Sequence, residues 1–208
     1  LGGAELCLFG QESNPTTWRL ARMNLALRGL RGDLGPAPAD TFARDLFPEL
    51  RADVVLANPP FNDGDWGGAA LQGDPRWAFG APPANSANFA WLQHVVHHMA
   101  PGGRAGVVLA NGSLSSRRSG EGEIRRRLVE AGLVECVIAL PGQMFYSTQI
   151  PACVWLLAKG RARADALLFV DARAMGAMIG RTQRALGAAE VVAIAEAVRA
   201  WRGEGGPY

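Results

Sequence analysis

The residues best suited to chemistry lie in one tetrapeptide, Asn58-Pro59-Pro60-Phe61, which follows the apolar run Asp53-Val54-Val55-Leu56-Ala57. Two consecutive prolines fix their own φ angles and bias Asn58 away from helix, so the turn is rigid and poor in free donors. The Asn58 amide oxygen and the Pro59 carbonyl can together accept both hydrogens of an NH2 group. Accepting them draws the nitrogen lone pair out of conjugation and aims it at an electrophile. Phe61 adds an aromatic face on which a planar base can stack. The chemistry indicated is attack by an exocyclic ring amine; the plainer reading of the same residues is a di-proline turn after a strand.

Other constellations carry less. His94 and His98 stand at i, i+4 and could touch one metal, but they lie opposite the apolar face of Leu92, Val95, Val96 and Met99 and lack a third ligand. They read as a solvated helix face, and no metal site is expected. Gly120-Glu121-Gly122-Glu123 would repel a phosphate, so it reads as an acidic helix start. Arg117, Arg118, Arg125, Arg126 and Arg127 form either a phosphate-contacting patch or a solvated face balanced by Glu121, Glu123 and Glu130. Cys7, Cys136 and Cys153, irregularly spaced in apolar runs, read as buried free thiols in a reducing cytoplasm.

The elements that must position the tetrapeptide alternate between strand and helix patterns, the signature of an α/β sheet. A strand over 6–10 leads to a helix that Asn14-Pro15 opens and Gly29 stops, with Trp18, Ala21 and Leu25 on its inner face. The segment 32–40 reads poorly, with a short strand ending at Asp40. The run 53–57 has the continuous apolar character of a strand buried on both faces. Residues 62–88 form a long loop, functional or mobile. A helix capped by Ser86 or Asn88 and stopped by Pro101-Gly102-Gly103 precedes a strand over 104–110, a helix over 121–131 and a strand over 134–140. The run 152–158 closes the pattern as an antiparallel neighbour of that strand. An edge strand over 167–170 and a helix with Val191, Ile194, Ala195, Val198 and Trp201 on one face follow. The organisation expected is a catalytic domain over 1–160, with 161–208 as its strand–helix appendage beyond a hinge at 160–164.

Composition bounds the class. With 208 residues, 49% hydrophobic and 19% charged, the chain can bury roughly 70% of its extended surface as a soluble domain. No apolar stretch approaches the ~20 residues of a membrane-spanning helix, and the N-terminus does not resemble a signal peptide. A net charge of +2 does not by itself indicate nucleic acid. Lys159 is the only lysine among 21 basic residues, an arginine bias that either genome composition or phosphate contact explains.

The tetrapeptide resembles the catalytic motif of amino-methyltransferases that use S-adenosylmethionine, chiefly DNA adenine-N6 enzymes, with relatives acting on guanine N2 of ribosomal RNA and on protein glutamine. Further segments narrow the likeness. Leu8-Phe9-Gly10-Gln11-Glu12-Ser13-Asn14-Pro15-Thr16-Thr17-Trp18, Ala21-Arg22-Met23-Asn24-Leu25, Ala100-Pro101-Gly102-Gly103-Arg104-Ala105-Gly106-Val107-Val108 and Leu140-Pro141-Gly142-Gln143-Met144-Phe145-Tyr146-Ser147-Thr148 resemble the modification subunit of type I restriction–modification systems. So do Phe169-Val170-Asp171-Ala172-Arg173 and Ala200-Trp201-Arg202-Gly203-Glu204, so the likeness runs over nearly the whole chain.

The resemblance implies a class I S-adenosylmethionine-dependent methyltransferase, Rossmann-like in its sheet. Asn58, Pro59, Pro60 and Phe61 would be catalytic, and Glu12, Asp40 and Asn58 would bind cofactor. Glu12 would accept hydrogen bonds from the cofactor ribose hydroxyls and Asp40 would contact its adenine amine. The bland alternatives are a solvated Glu12 carboxylate before a helix and an Asp40 that caps Thr41-Phe42. Phe145 or Tyr146 would join Phe61 around a flipped target base, unless the aromatic merely plugs the core under its loop.

In that family the first strand and the glycine-rich cofactor loop precede the segment matching 6–12. Only five residues stand before Leu6, and Gly2-Gly3 has no strand in front of it. The resemblance therefore implies an N-terminally truncated sheet lacking that strand and loop, marginally folded and inactive alone. The function implied is methyl transfer to adenine N6 in double-stranded DNA, in the cytoplasm and without a membrane partner, beside a specificity subunit and a restriction subunit. The alternatives are a non-catalytic module that docks the specificity subunit, and an RNA guanine-N2 methyltransferase.

Overall fold

In the computed structural model, which describes residues 6–146, 148–161 and 163–204, the chain divides into two units, Leu1–Leu50 and Arg51–Tyr208. Gly2, Gly3 and Ser147 of the motifs above, and Ala162 of the expected hinge, lie outside the described residues.

The first unit is a small β–α–β crossover. Strand β1 (Leu8–Phe9), helix α1 (Pro15–Leu27) and strand β2 (Gly32–Asp33) follow in order, and β2 runs parallel to β1 with Leu8 opposite Gly32. Asn14 caps α1 as expected, its Oδ1 accepting from the N–H groups of Thr16 and Thr17 at 2.9 and 3.1 Å. Trp18, Ala21 and Leu25 are the half-buried positions of the helix, and Trp18 Nε1 donates to Leu34 O at 2.9 Å. Gly32 lies close under the helix: a Cβ there would sit 2.8 Å from Leu25 Cδ1 and 3.2 Å from Leu8 Cβ, so the end of the Leu25 side chain would have to shift. The second strand ends at Asp33 and not at Asp40. Asp33 Oδ1 accepts from Gly35 N at 2.8 Å, Gly35 turns left-handed at φ 73°, and Pro36 and Pro38 then deny further ladder donors.

The second unit contains β3 (Ala52–Ala57), α2 (Asn88–His98), β4 (Met99–Ala110), α3 (Glu121–Glu130), β5 (Val134–Ala139), β6 (Ala152–Ala158), β7 (Leu168–Asp171), β8 (Ala177–Met178), β9 (Arg184–Ala185) and α4 (Ala188–Arg202). Five strands form one sheet in the order β3-β4-β6-β5-β7. β3 is parallel to β4 and β7 to β5, while β6 is antiparallel to both of its neighbours. A reversed strand thus stands among four that share a direction. The strand period of two separates the core into two faces. Phe89, Leu92, Val95 and Met99, with Ile124 and Leu128, cover the face of Val107, Leu109, Val137, Trp155 and Leu157, and Phe89 meets Trp155 edge-on at 6.3 Å. Val198 covers the opposite face, against Cys136, Ile138 and Ala172.

Several expectations are corrected. β3 is covered on one face: Val55 and Ala57 pack on the core, but Val54 is 65% and Leu56 81% exposed. The strand period of two turns Val54 and Leu56 away from the core on which Val55 and Ala57 pack. The cap position of α2 falls to Ala87, whose side chain makes no capping bond; Ser86 Oγ donates instead to the buried Glu121 at 2.6 Å. The loop 62–88 has a core of its own. Trp66 and Trp77 are buried and meet edge-on at 5.9 Å, and the buried amide of Gln93 accepts from Phe79 N and donates to Gly80 O. His98 is buried and its ring lies 4.5 Å from that of His94, so these histidines are not a solvated face. Cys7 is exposed, whereas Cys136 and Cys153 are buried. Val191 turns outward from α4.

Candidate active site

Open sheets of parallel strands place ligands beyond the carboxyl ends of their strands. β3 delivers Asn58 to such an end, one residue after Ala57, which stands opposite Val107 of β4. Pro59 is buried and anchors the turn, while Asn58 is exposed and Phe61 half-buried. No described residue takes up the Asn58 side-chain amide, so its oxygen is available to a ligand. Because β6 runs backwards, the loop from β5 to β6 returns to this same edge. It carries Phe145, whose ring stands edge-on to Phe61 with centroids 5.4 Å apart and planes at 86°. Tyr146 is 93% exposed. The structure thus brings Phe61 and Phe145 together and leaves Tyr146 outside the pair.

Glu12 and Asp40 belong to the first unit. Ala39 N donates to Glu12 O at 3.0 Å, which sets Asp40 one residue from the backbone of Glu12. Glu12 Oε1 accepts from Asn14 N at 2.7 Å; Oε2 takes no part in that bond. Asp40 Oδ1 accepts from Phe42 N and Ala43 N at 2.7 and 3.0 Å, so the capping role is realised. The acceptor oxygens outside these bonds suit a ribose diol and a ring amine, the donors that S-adenosylmethionine presents. Gln11 is the residue that sequence reasoning missed. Its Nε2 donates to Ala39 O at 3.2 Å and Arg44 O at 2.7 Å, and its Oε1 accepts from Leu46 N at 3.0 Å. That side chain holds the loop bearing Asp40 against the end of β1; the segment Leu8–Trp18 contains it, but nothing in the sequence marks this role.

The arginine cluster resolves mostly into ion pairs. Arg126 meets Glu123 at 2.6 Å and Glu130 at 2.5 Å, and Arg127 meets Glu123 at 2.8 Å. Hydrogen bonds from Arg126 and then Arg127 pull the Glu123 carboxyl down to about 2. Arg125 donates to the carbonyls of Ser113 and Ser116. Glu121 takes no part in the balance, being buried against Ser86. Arg117 and Arg118 are exposed.

Comparison with known proteins adds a lineage to this geometry. The model of the N-6 DNA Methylase family matches residues 3–206. The chain is 48% identical over 195 residues to the methylase subunit of the type I restriction enzyme HindI from Haemophilus influenzae, which covers 94% of this chain and 44% of that protein. The crystal structure of the methyltransferase subunit of a type I restriction-modification system from Streptococcus thermophilus superposes with a TM-score of 0.84 at 34% identity, over 93% of this chain and 42% of that one. A class I S-adenosylmethionine-dependent methyltransferase from Listeria monocytogenes superposes at 0.67 with 16% identity, over 97% of this chain and 57% of that one, a likeness of fold alone. The fold is thus the class I methyltransferase fold that the sequence resemblance implies. The chain spans less than half the length of the type I relatives it matches.

Proposed function

The chain belongs to the N-6 DNA Methylase family, and on that premise we propose that it is the methyl-transferring part of the modification subunit of a type I restriction–modification complex, acting on adenine N6 in double-stranded DNA. The observation that carries this reading is the Asn58–Phe61 turn beyond β3, faced by the ring of Phe145. Asn58 Oδ1 and the Pro59 carbonyl accept the two N6 hydrogens, which directs the nitrogen lone pair away from the ring plane. As positive charge grows on that nitrogen the same two oxygens stabilise it, and the proton then leaves to water. The acceleration rests on orientation and desolvation more than on a general base.

A base inside a duplex cannot reach these oxygens, so the target is extruded. Phe61 and Phe145 form the walls of its pocket, with Tyr146 at the exposed rim. S-adenosylmethionine, when bound, would supply an electrophilic methyl group on a sulfonium sulfur, the S–CH3 bond breaking as the N–CH3 bond forms and its electron pair staying on sulfur as a neutral thioether. Glu12 would hold its ribose hydroxyls and Asp40 its adenine amine, and Asn58 is the third residue assigned to its binding. A specificity subunit selects the DNA sequence, and a restriction subunit completes the complex.

The test is transfer of a tritiated methyl group into duplex DNA by the smallest assembly containing this chain that methylates it. Asn58→Ala is expected to slow transfer at least ~100-fold, the usual loss on removing one preorganised transition-state group. An unchanged rate overturns the role of Asn58, and label found in RNA guanine overturns the substrate.

A further inference from the structure

Building on the methyl-transfer reading, we propose that Asn88 is a positioning residue for the reaction: its side-chain amide clamps Asn62 and so holds Asn58-Pro59-Pro60-Phe61 in the conformation that receives the base amine. Asn62 N donates to Asn88 Oδ1 at 3.2 Å, and Asn88 Nδ2 donates to Asn62 Oδ1 at 2.9 Å. The backbone N–H can only donate, which settles which end of the Asn88 amide is oxygen. One side chain thereby grips both the main chain and the side chain of the residue that follows the aromatic wall.

The two partners differ in a way that gives the clamp a direction. Asn88 is 4% exposed in the first turn of an 11-residue helix, directly before Phe89, which is fully buried in the core. Asn62 is exposed. The buried partner therefore holds the exposed one. Pro59 and Pro60 have no N–H, so the turn has few donors of its own; the N–H of Asn62 adds one from just outside it. Two further rungs extend the clamp. Ala87 N donates to Asp63 O at 2.9 Å, and the backbone at Gly64 runs so close that a Cβ would sit 3.3 Å from Asn85 O.

Backbone strain marks the same place. Among the described residues the non-glycine positions at positive φ are Asn62 at 55°, Ser119 at 45° and Gln143 at 65°. Asn62 immediately follows Phe61, and Gln143 stands two residues before Phe145. Left-handed residues persist only where the surroundings over-determine them, and they gather at functional sites. At Asn62 the over-determining group is the amide of Asn88.

The experiment uses the smallest assembly containing this chain that methylates duplex DNA, and measures single-turnover methyl transfer per S-adenosylmethionine-binding site. Asn88→Ala is expected to slow that rate at least ~10-fold, to leave the KM for S-adenosylmethionine within about 2-fold, and to speed hydrogen exchange at the Asn62 amide. Asn88→Asp is expected to recover most of the rate. Its carboxylate still accepts the Asn62 N–H, takes a second bond once the Asn62 amide turns over, and sits favourably at a helix N-terminus. The proposal is overturned if Asn88→Ala lowers only the number of binding sites and not the rate at each. It is equally overturned if Asn62 exchange is unchanged or Asn88→Asp is as slow as Asn88→Ala. If no assembly containing this chain transfers a methyl group to duplex DNA, the methyl-transfer reading itself is refuted and this role with it, and that result is read before any variant is made.

Discussion

Replacing Arg202 by methionine is expected to destabilise the second unit by about 3–5 kcal/mol, the usual result of stranding one member of a buried ion pair. Arg202 ends α4 and donates Nε and Nη2 to the two oxygens of Glu135 on β5, at 2.9 and 2.6 Å. The Glu135 side chain is 5% exposed and that of Arg202 19%, so water screens the pair poorly. Glu135 in turn holds the guanidinium more firmly protonated than usual. Methionine keeps the packing of the arginine stem but leaves a carboxylate without a counter-charge beside the cluster of Cys136, Ile138, Ala172 and Val198. At about 2–4 °C per kcal/mol for a chain of this size, the midpoint of thermal unfolding falls by about 6–20 °C. The double variant Glu135→Leu/Arg202→Met recovers most of that loss, because an apolar pair of similar volume replaces a buried ion pair at little cost. Urea unfolding followed by tryptophan fluorescence, run as a double-mutant cycle, measures the coupling. Single losses below about 1 kcal/mol that simply add would refute the reasoning, since the pair would then be no stronger than an exposed one.

Two further outcomes follow from the structure. Phe145→Ala removes the edge-on partner of Phe61, and binding of a duplex carrying 2-aminopurine at the target position is expected to weaken about 5- to 150-fold, from about 1–3 kcal/mol per stacked base; unchanged affinity would mean that Phe145 does not touch the base. Burial pushes the Cys136 thiol from 9.0 up to about 11, with the charge of Glu135 adding to the rise. A thiol whose folded value is raised contributes stability that is fully present below pH 9 and is lost as pH rises through 11. Urea titrations of Cys136→Ala should therefore show a shallower decline between those values, and parallel curves for the two proteins would count against burial as the cause.

Much of the scaffold was legible because it rests on short-range rules. Asn14-Pro15 and Gly29 bound α1 through capping bonds made within three residues, and the 3.6-residue period identified Trp18, Ala21 and Leu25 as its covered face. The same period found Leu92, Val95, Val96 and Met99, all buried. The strands over 134–139 and 152–158 were readable as antiparallel neighbours because the connection between them is short. Where proline and glycine crowd between 32 and 40 those rules weaken, and the strand end was misplaced by seven residues. The continuous apolar run before Asn58 reads as buried on both faces, because apolar composition records what could be buried. Whether a helix lies over each face depends on the order of strands in the sheet.

By itself the sequence determined the make-up of the turn at 58–61. The prolines, the amide before them and the aromatic ring after them are four consecutive residues, and their types are read without any distant partner. The tertiary structure alone decided which residues meet that turn. Phe145 and Tyr146 are adjacent on one loop, and periodicity cannot choose between them; the reversed β6 carries Phe145 to the ring of Phe61, 84 positions away. Asn88 reads locally as a helix cap, yet its amide is committed to Asn62, 26 residues earlier. Capping bonds and hydrophobic periods are satisfied within a few residues and so leave a signature in the chain. A side chain that bonds across a fold finds its partner only when crossovers and strand order bring the two segments together.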